Sequence, residues 1–383
     1  IPKSLARFDH SPIFGSCRVS NYRGLLLTSL ISAVLFAVAV RPIVAQPLAP
    51  SADIEETTLA TARRQLNEQY AITVILPTYQ RLNEHAAALQ RASEEFQAVP
   101  TDVNFTALQA AWLAVSSTWA QSEAFAFGPV HSLGHGSALA FPADTSAIDK
   151  LLTTEPLVSA VSLDELEAVA LHDSLGGLEA IAYLLEDKTA SDFTAVERLY
   201  LQYIAAAAHT STTALLAAWQ EGWNGHAPYS QALATAGDVG NVFYQSSQAA
   251  SEEIVRTLFN TLDVVTHEVL PEQIDSLVQG PDDAIDPVSL QLIASSIEGM
   301  QHAYTGGDTA GPDTASLSQL VAIADPAADQ QIVADLEAAA NQLRQTTSKS
   351  MDATAVTDAL NAARLSLSSA QTQLEESAFP LFL

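Results

Sequence analysis

The chain is 383 residues long, 48% hydrophobic and 7% aromatic, with a formal net charge of −28 at pH 7 and a single cysteine. Sixteen Lys and Arg against 44 Asp and Glu exclude a nucleic-acid binder, which needs a dense basic surface, and oppose docking on an anionic membrane for the same reason. Cys17 has no partner cysteine, so no internal disulfide forms and the folded part relies on packing.

The N-terminus reads as an address. Gly24–Val40 is apolar apart from Thr28, Ser29 and Ser32, follows Arg18 and Arg23, and leads to Ile43, Val44 and Ala45. A positive end, an apolar run and small residues in that order mark a secretory signal peptide, here residues 1–45 with an upstream extension, cut after Ala45. The location expected from it is periplasmic or secreted, with no membrane contact beyond this segment. The alternative is an uncleaved anchor, for which the run sits at the short limit. Losing the segment removes Lys3, Arg7, Arg18, Arg23 and Arg41 against Asp9 alone, so the mature chain is more acidic still.

Residues 46–52, with Pro47 and Pro50, form a linker. Abundant Ala with few aromatics predicts helix-on-helix cores. From Asp53, Ile54, Leu59, Leu66, Tyr70, Val74 and Leu82 fall roughly on one helical stripe. Pro77 lies inside this stretch and should kink or divide it. A second helix is expected over 104–125, with Leu108, Trp112, Val115 and Trp119 on one face and a stop at Phe127-Gly128-Pro129. Residues 130–142 read as irregular chain. Ser162-Leu-Asp-Glu165 is a capping box, followed by a helix through Leu171–Leu185 with Gly176-Gly177 inside it. A long helix runs from Ser191 or Asp192 to Trp223 and ends at Gly222, Asn224 and Gly225.

The second half predicts helices near 240–266, 269–279, 287–304, 315–323, 327–348 and 352–377. No sustained period-two alternation predicts a strand. The fold class is therefore all-α, as two helical bundles of the four-helix type covering 53–225 and 226–383.

Several motifs in this order resemble the imelysin-like family of bacterial envelope proteins. They are Leu76-Pro-Thr-Tyr79, Ala111-Trp112 with Trp119, Glu123-Ala-Phe-Ala-Phe-Gly-Pro129, Phe141-Pro-Ala-Asp144 with Ala147-Ile148-Asp149, and Ile297-Glu-Gly-Met-Gln-His-Ala-Tyr304. The family usually has Trp-Pro where this chain has Phe141-Pro142. The resemblance spans about residues 55–345. It implies two four-helix bundles, a periplasmic or outer-membrane location and a link to iron uptake, with some members described as peptidases and others as metal-binding components.

The family signature is Gly-x-His-x-x-Glu, and its place here is Gly177-Leu-Glu-Ala-Ile-Ala182. Gly177 matches, Glu179 replaces the His and Ala182 replaces the Glu. His and Glu three apart share a helix face and hold one cation together; here one carboxylate remains. His172, two turns upstream if the helix continues, lies about 10 Å away along the axis, too far to share an ion with Glu179 without bending. His131 and His135 stand four apart, a spacing that meets one metal on a helix, but Pro129, Gly134 and Gly136 oppose a helix there. These two histidines are the candidates to replace the lost ligand, so the candidate metal ligands are Glu179, His131, His135 and His172. The bland reading of each is a solvated or hydrogen-bonded side chain.

No catalytic set is evident. There is no nucleotide loop, no Gly-x-Ser-x-Gly, no retained cysteine nucleophile, and no His-Glu-x-x-His base. The leading expectation is thus a non-catalytic, exported binding protein of iron or other divalent-metal uptake with an altered or lost metal site. A metallopeptidase and an interaction module that binds another envelope protein are the alternatives.

Overall fold

The computed structural model describes residues 51–140, 142–153, 175–279, 287–307, 310–311, 314–347 and 353–381. Residues 1–45, expected from the sequence to be a signal peptide, the Ser162–Glu165 segment and His172 lie outside them. The described residues are helical, with one isolated bridge between Trp223 and His226 and no strand. The all-α expectation holds.

Helix α1 (Ser51–Tyr70) passes through a π-helical turn (Ala71–Ile75) into α2 (Leu76–Ala98). Pro77 has no N–H to give the Thr73 carbonyl one turn back, and the chain widens into a π turn instead of breaking. The same device recurs twice. A π turn at Val265–Val269 precedes Leu270-Pro271, and another at Leu374–Ala378 precedes Phe379-Pro380. The Thr73 carbonyl then meets Gly307, where a Cβ would lie 2.3 Å from it. No side chain fits at that contact, which is one reason for glycine there.

Helix α3 (Asp102–Ser122) starts at Thr101, whose hydroxyl accepts from the Asn104 N–H, and runs into a 3-10 turn at Glu123–Phe125. Residues expected to be irregular instead hold two short helices, α4 (Pro129–Ser132) and α5 (His135–Ala140). Gly128 (φ +65°) and Gly134 (φ +70°) make the breaks around α4, and Pro129 preorganises its first turn. Helix α6 (Thr145–Thr153) follows, then α7 (Gly177–Leu185). The expectation that a helix continues through Gly176-Gly177 is wrong. Gly176 is extended (φ −120°, ψ −162°) and Gly177 is at φ +83°, so the helix begins between them.

Helix α8 (Ala195–Gln220) starts later than expected. Thr189 with Asp192, and then Thr194 with Glu197, form two capping boxes in succession, and the second sets the true start. After α9 (Tyr229–Ala234) comes a loop held by Asn241, and α10 (Ser247–Val264) begins only where Ser246 caps the Ala249 N–H. Helices α11 (Leu270–Gln279), α12 (Pro287–Thr305), α13 (Leu317–Ala324), α14 (Pro326–Thr347) and α15 (Ala353–Gln373) match the expected spans closely.

Helices α2, α3, α7 and α8 pack on one another, as do α10, α12, α14 and α15. Helix α1 joins the second set: Asn67 donates to the Ser247 carbonyl (2.7 Å) and accepts from the Ser251 hydroxyl (2.9 Å), and Gln69 accepts from Ala315 N–H (3.0 Å). The two sets meet where α3 crosses α12. A Cβ on Gly299 would lie 2.1 Å from the Gln121 carbonyl oxygen, so only glycine permits this approach. Arg81, Gln121, Glu298 and Arg344 link the sets across the seam, with Arg81 to Gln121 at 3.3 Å, Gln121 to Glu298 at 3.4 Å and Glu298 to Arg344 at 3.1 Å. Behind the seam Trp219, fully buried, packs on Tyr79, Phe127 and Tyr229 with ring centroids 6.2, 5.7 and 5.0 Å away. Each such ring contributes several kcal/mol of apolar burial by area.

Candidate functional site

Three polar positions stand out against this apolar frame. The first is the start of α7. Glu179 is the third residue of that helix, close to its positive end. The left-handed φ of Gly177 explains the glycine at this signature position. Trp112 Nε1 donates to the Leu178 carbonyl (2.9 Å) and Tyr200 Oη to the Leu175 carbonyl, so the turn is fixed from α3 and α8. Glu179 Oε2 accepts one backbone N–H, from Ala143 at 3.3 Å. Burial nonetheless pushes its carboxyl up to about 7, with the Ala143 bond acting against the shift. The group therefore changes charge near neutral pH. One turn on, Ala182 offers a methyl where the family pattern has its second ligand, so the residues present do not fit a two-ligand chelate at this helix.

At the other end of α7 is a pocket of about 200 Å³ lined by Asp149, Tyr183, Glu186, Asp187, Lys188 and Glu197. Its groups engage one another: Tyr183 Oη donates to Asp149 Oδ1 (2.7 Å), and Lys188 pairs with Glu197 (2.7 Å). The Tyr183 phenol is pushed up to about 12 by burial and by these acids.

The second position joins distant parts of the chain. Tyr244 Oη donates to Glu253 Oε2 and lies 2.9 Å from Tyr229 Oη. Tyr244 has one proton to give, so Tyr229 donates to it, and the chain of donors runs Tyr229 to Tyr244 to Glu253. Burial raises the pKa of the Glu253 carboxyl, against the Tyr244 hydrogen bond and the charge of His131 on α4, which both favour its ionised form.

The third position is Glu123, in the turn that follows α3. Its backbone oxygen accepts from Thr261 Oγ1 (3.0 Å), and its carboxyl makes no hydrogen bond among the described residues. Burial pushes that carboxyl up to about 8, so it is largely protonated at neutral pH.

The candidate ligands thus separate. Glu179 has Ala143 as its partner, and His131 acts on Glu253 rather than on Glu179. His135 opens α5 one glycine break beyond α4, and its side chain lies outside the described residues, as does His172. Because α7 starts at Gly177, His172 shares no continuous helix with Glu179. Among the described residues no three His, Cys, Asp or Glu gather to hold a metal ion, and no helix is long and apolar enough to cross a membrane. Sequence reasoning missed Glu253, Tyr244 and Glu123 as special positions. Glu253 reads as one more solvated acid on a helix, and no motif ties it to residue 131.

Comparisons with known proteins agree with this architecture. The family model for imelysin matches residues 75–380. The chain is 28% identical over 278 residues to iron-regulated protein A of Synechococcus elongatus, a match covering 72% of this chain and 73% of that protein. Among solved structures, a protein described as an iron-regulated protein A precursor from Parabacteroides distasonis has a TM-score of 0.65 at 18% identity, over 82% of this chain and 95% of its own. An imelysin-like protein from Psychrobacter arcticum has a TM-score of 0.61 at 15% identity, over 87% and 97%. The two structures establish likeness of fold.

Proposed function

Because the chain belongs to the imelysin family, we propose that it is an exported, non-catalytic binding protein of iron or related metal uptake, with the family's signature site altered. The observation that carries this reading is the state of that signature. Gly177 and the fixed helix start remain, while the His–Glu pair is reduced to Glu179 beside Ala182. A lone half-buried carboxyl is a hard ligand of low affinity, and it lacks the second group that a tight chelate needs. Export is supported by the signal-like order of residues 1–45. The relative named for its iron regulation supports the iron setting.

The peptidase label of the family model favours a second reading, metal-assisted peptide hydrolysis. It would need three protein ligands and a base, and the signature in this sequence supplies one carboxylate. A third role, binding an envelope protein partner, needs no metal.

Metal content and calorimetric titration of the full-length protein, freed of metal by chelator, test these readings together with a peptide-cleavage assay. The proposed function expects one metal site and no cleavage. Chelator-sensitive cleavage of a peptide would install the peptidase reading. Absence of both would leave the partner-binding role.

A further inference from the structure

We propose that Asn224 is a site of covalent self-modification: the backbone nitrogen of Gly225 displaces its side-chain amide, and water converts the product into isoaspartate and aspartate. The inference stands apart from the metal-binding reading above.

The chain has nine asparagines, and Asn224 is the one followed by glycine. The other described asparagines are occupied. Asn67, Asn83, Asn104, Asn260, Asn341 and Asn361 lie within helices, where the N–H of the next residue is committed to the helix ladder. Asn241 lies in a loop, but its side chain donates to the Ala232 carbonyl (2.6 Å) and accepts from the Phe243 and Tyr244 N–H groups (3.0 and 2.8 Å).

Asn224 and Gly225 are instead the central residues of an exposed turn between Trp223 and His226, closed by the His226 N–H donating to the Trp223 carbonyl (2.8 Å). Both have positive φ, 47° and 83°, the pattern of a type I′ turn, for which Asn-Gly is a favoured pair. Neither the Asn224 amide nor the Gly225 N–H makes a hydrogen bond among the described residues. Built on Gly225, a Cβ would meet nothing within 4 Å. The attacking nitrogen is therefore unhindered by a side chain and open to water. A single backbone hydrogen bond at the surface is a weak restraint, so this turn opens locally far more often than the chain unfolds. Opening lets Asn224 rotate about ψ until the Gly225 nitrogen faces Cγ.

The step needs no redox partner. Hydroxide removes the Gly225 N–H proton, and the nitrogen attacks Asn224 Cγ. The N–Cγ bond forms as the Cγ–Nδ2 bond breaks, and Nδ2 leaves as ammonia with a proton from water, which restores hydroxide. Water then opens the cyclic imide. Addition at Cγ gives aspartate; addition at the backbone carbonyl carbon gives isoaspartate, whose main chain runs through Cβ and Cγ and is one atom longer. The turn has little slack for that atom, because a Cβ on the neighbouring Gly222 would already lie 2.1 Å from the His226 carbonyl oxygen. Either product also adds a carboxylate to residues 222–251, where Asp238 is the only Asp, Glu, Lys or Arg. The new charge arrives beside the rings of Trp223, His226 and Phe243, whose centroids lie 5.4, 5.5 and 5.8 Å apart.

The test incubates the folded, full-length protein for several weeks at pH 8, with parallel samples at pH 6 and in guanidinium. Trypsin then releases residues 199–256, which carry Asn224 and Asn241 together, and fragment masses read each position. A gain of about 1 Da is expected at Asn224, as two chromatographically separate products, with Asn241 unchanged. Conversion should be slower at pH 6, since hydroxide generates the nucleophile. Gly225→Ala, whose methyl has room but crowds the nitrogen, should slow it by at least about tenfold. Asn224→Gly, which keeps the positive φ, should show no gain in this turn. Conversion of Asn224 confined to the guanidinium sample would overturn the proposal, because the folded turn would then be protective. So would equal conversion at Asn224 and Asn241, an undiminished rate in Gly225→Ala, or no conversion in any sample.

Discussion

Glu123→Gln should make the protein more stable at alkaline pH and leave it unchanged in acid. The Glu123 carboxyl is carried by burial from an ordinary 4.5 to about 8 in the folded protein. The native state thus holds a proton that the unfolded state releases above about pH 4.5, and stability falls as pH rises from 4.5 to 8 and is flat on either side. In full, a shift of that size corresponds to about 5 kcal/mol at pH 9. Part of the residue still meets solvent, which screens the penalty, so about 2–5 kcal/mol is the working range. Glutamine keeps the shape, carries no charge and escapes the penalty. Guanidinium unfolding of both proteins at pH 4, 6 and 9 measures the difference between them, in which Glu179, titrating near 7 in each, cancels. The expected gain of the variant is near zero at pH 4 and grows to about 2–5 kcal/mol at pH 9. A gain that does not change with pH would refute the idea that Glu123 is buried as the acid.

Two further substitutions probe the frame. Gly299→Ala puts a methyl 2.1 Å from the Gln121 carbonyl oxygen and should cost about 2–4 kcal/mol by forcing α3 and α12 apart; an unchanged guanidinium midpoint would show that the crossing is looser than described. Asn241→Ala removes the side chain that donates to the Ala232 carbonyl (2.6 Å) and accepts from the Phe243 and Tyr244 N–H groups (3.0 and 2.8 Å). Amide exchange at Phe243 and Tyr244 should accelerate by at least tenfold, and equal protection in the variant would mean the loop is held by other contacts.

Most of the fold was readable because helices announce themselves locally. The stripe Leu66, Tyr70, Val74 and Leu82 is buried as its spacing required, and so are Leu108, Val115 and Trp119. Boundaries failed where two signals competed. Thr189 and Thr194 both offer a cap for α8, and a sequence cannot say which one the backbone uses. Gly176-Gly177 permits a helix to continue or to start, and the left-handed φ of Gly177 is decided by the anchoring of the turn from Trp112 and Tyr200. The short helices after Gly128 were hidden because glycine-rich chain reads as irregular whatever it packs against. The candidate site was legible at Glu179, which sits in a recognisable pattern. It was not legible at Glu253, whose distinction comes from Tyr244 and from His131, and the latter lies far back in the chain.

The helix synthesised early is among the last to be covered. Arg63 donates to the Leu381 carbonyl, Asn67 meets Ser247 and Ser251, and Gln69 meets Ala315. About two thirds of the chain is made before Ser247 and Ser251 exist, and Ala315 and Leu381 come later still, so Leu66, Tyr70 and Val74, all buried in the folded protein, wait uncovered on the nascent chain. Closure of α1 therefore waits on chain made much later, and nascent chains stopped before Ser247 would present this apolar stripe to chaperones and proteases.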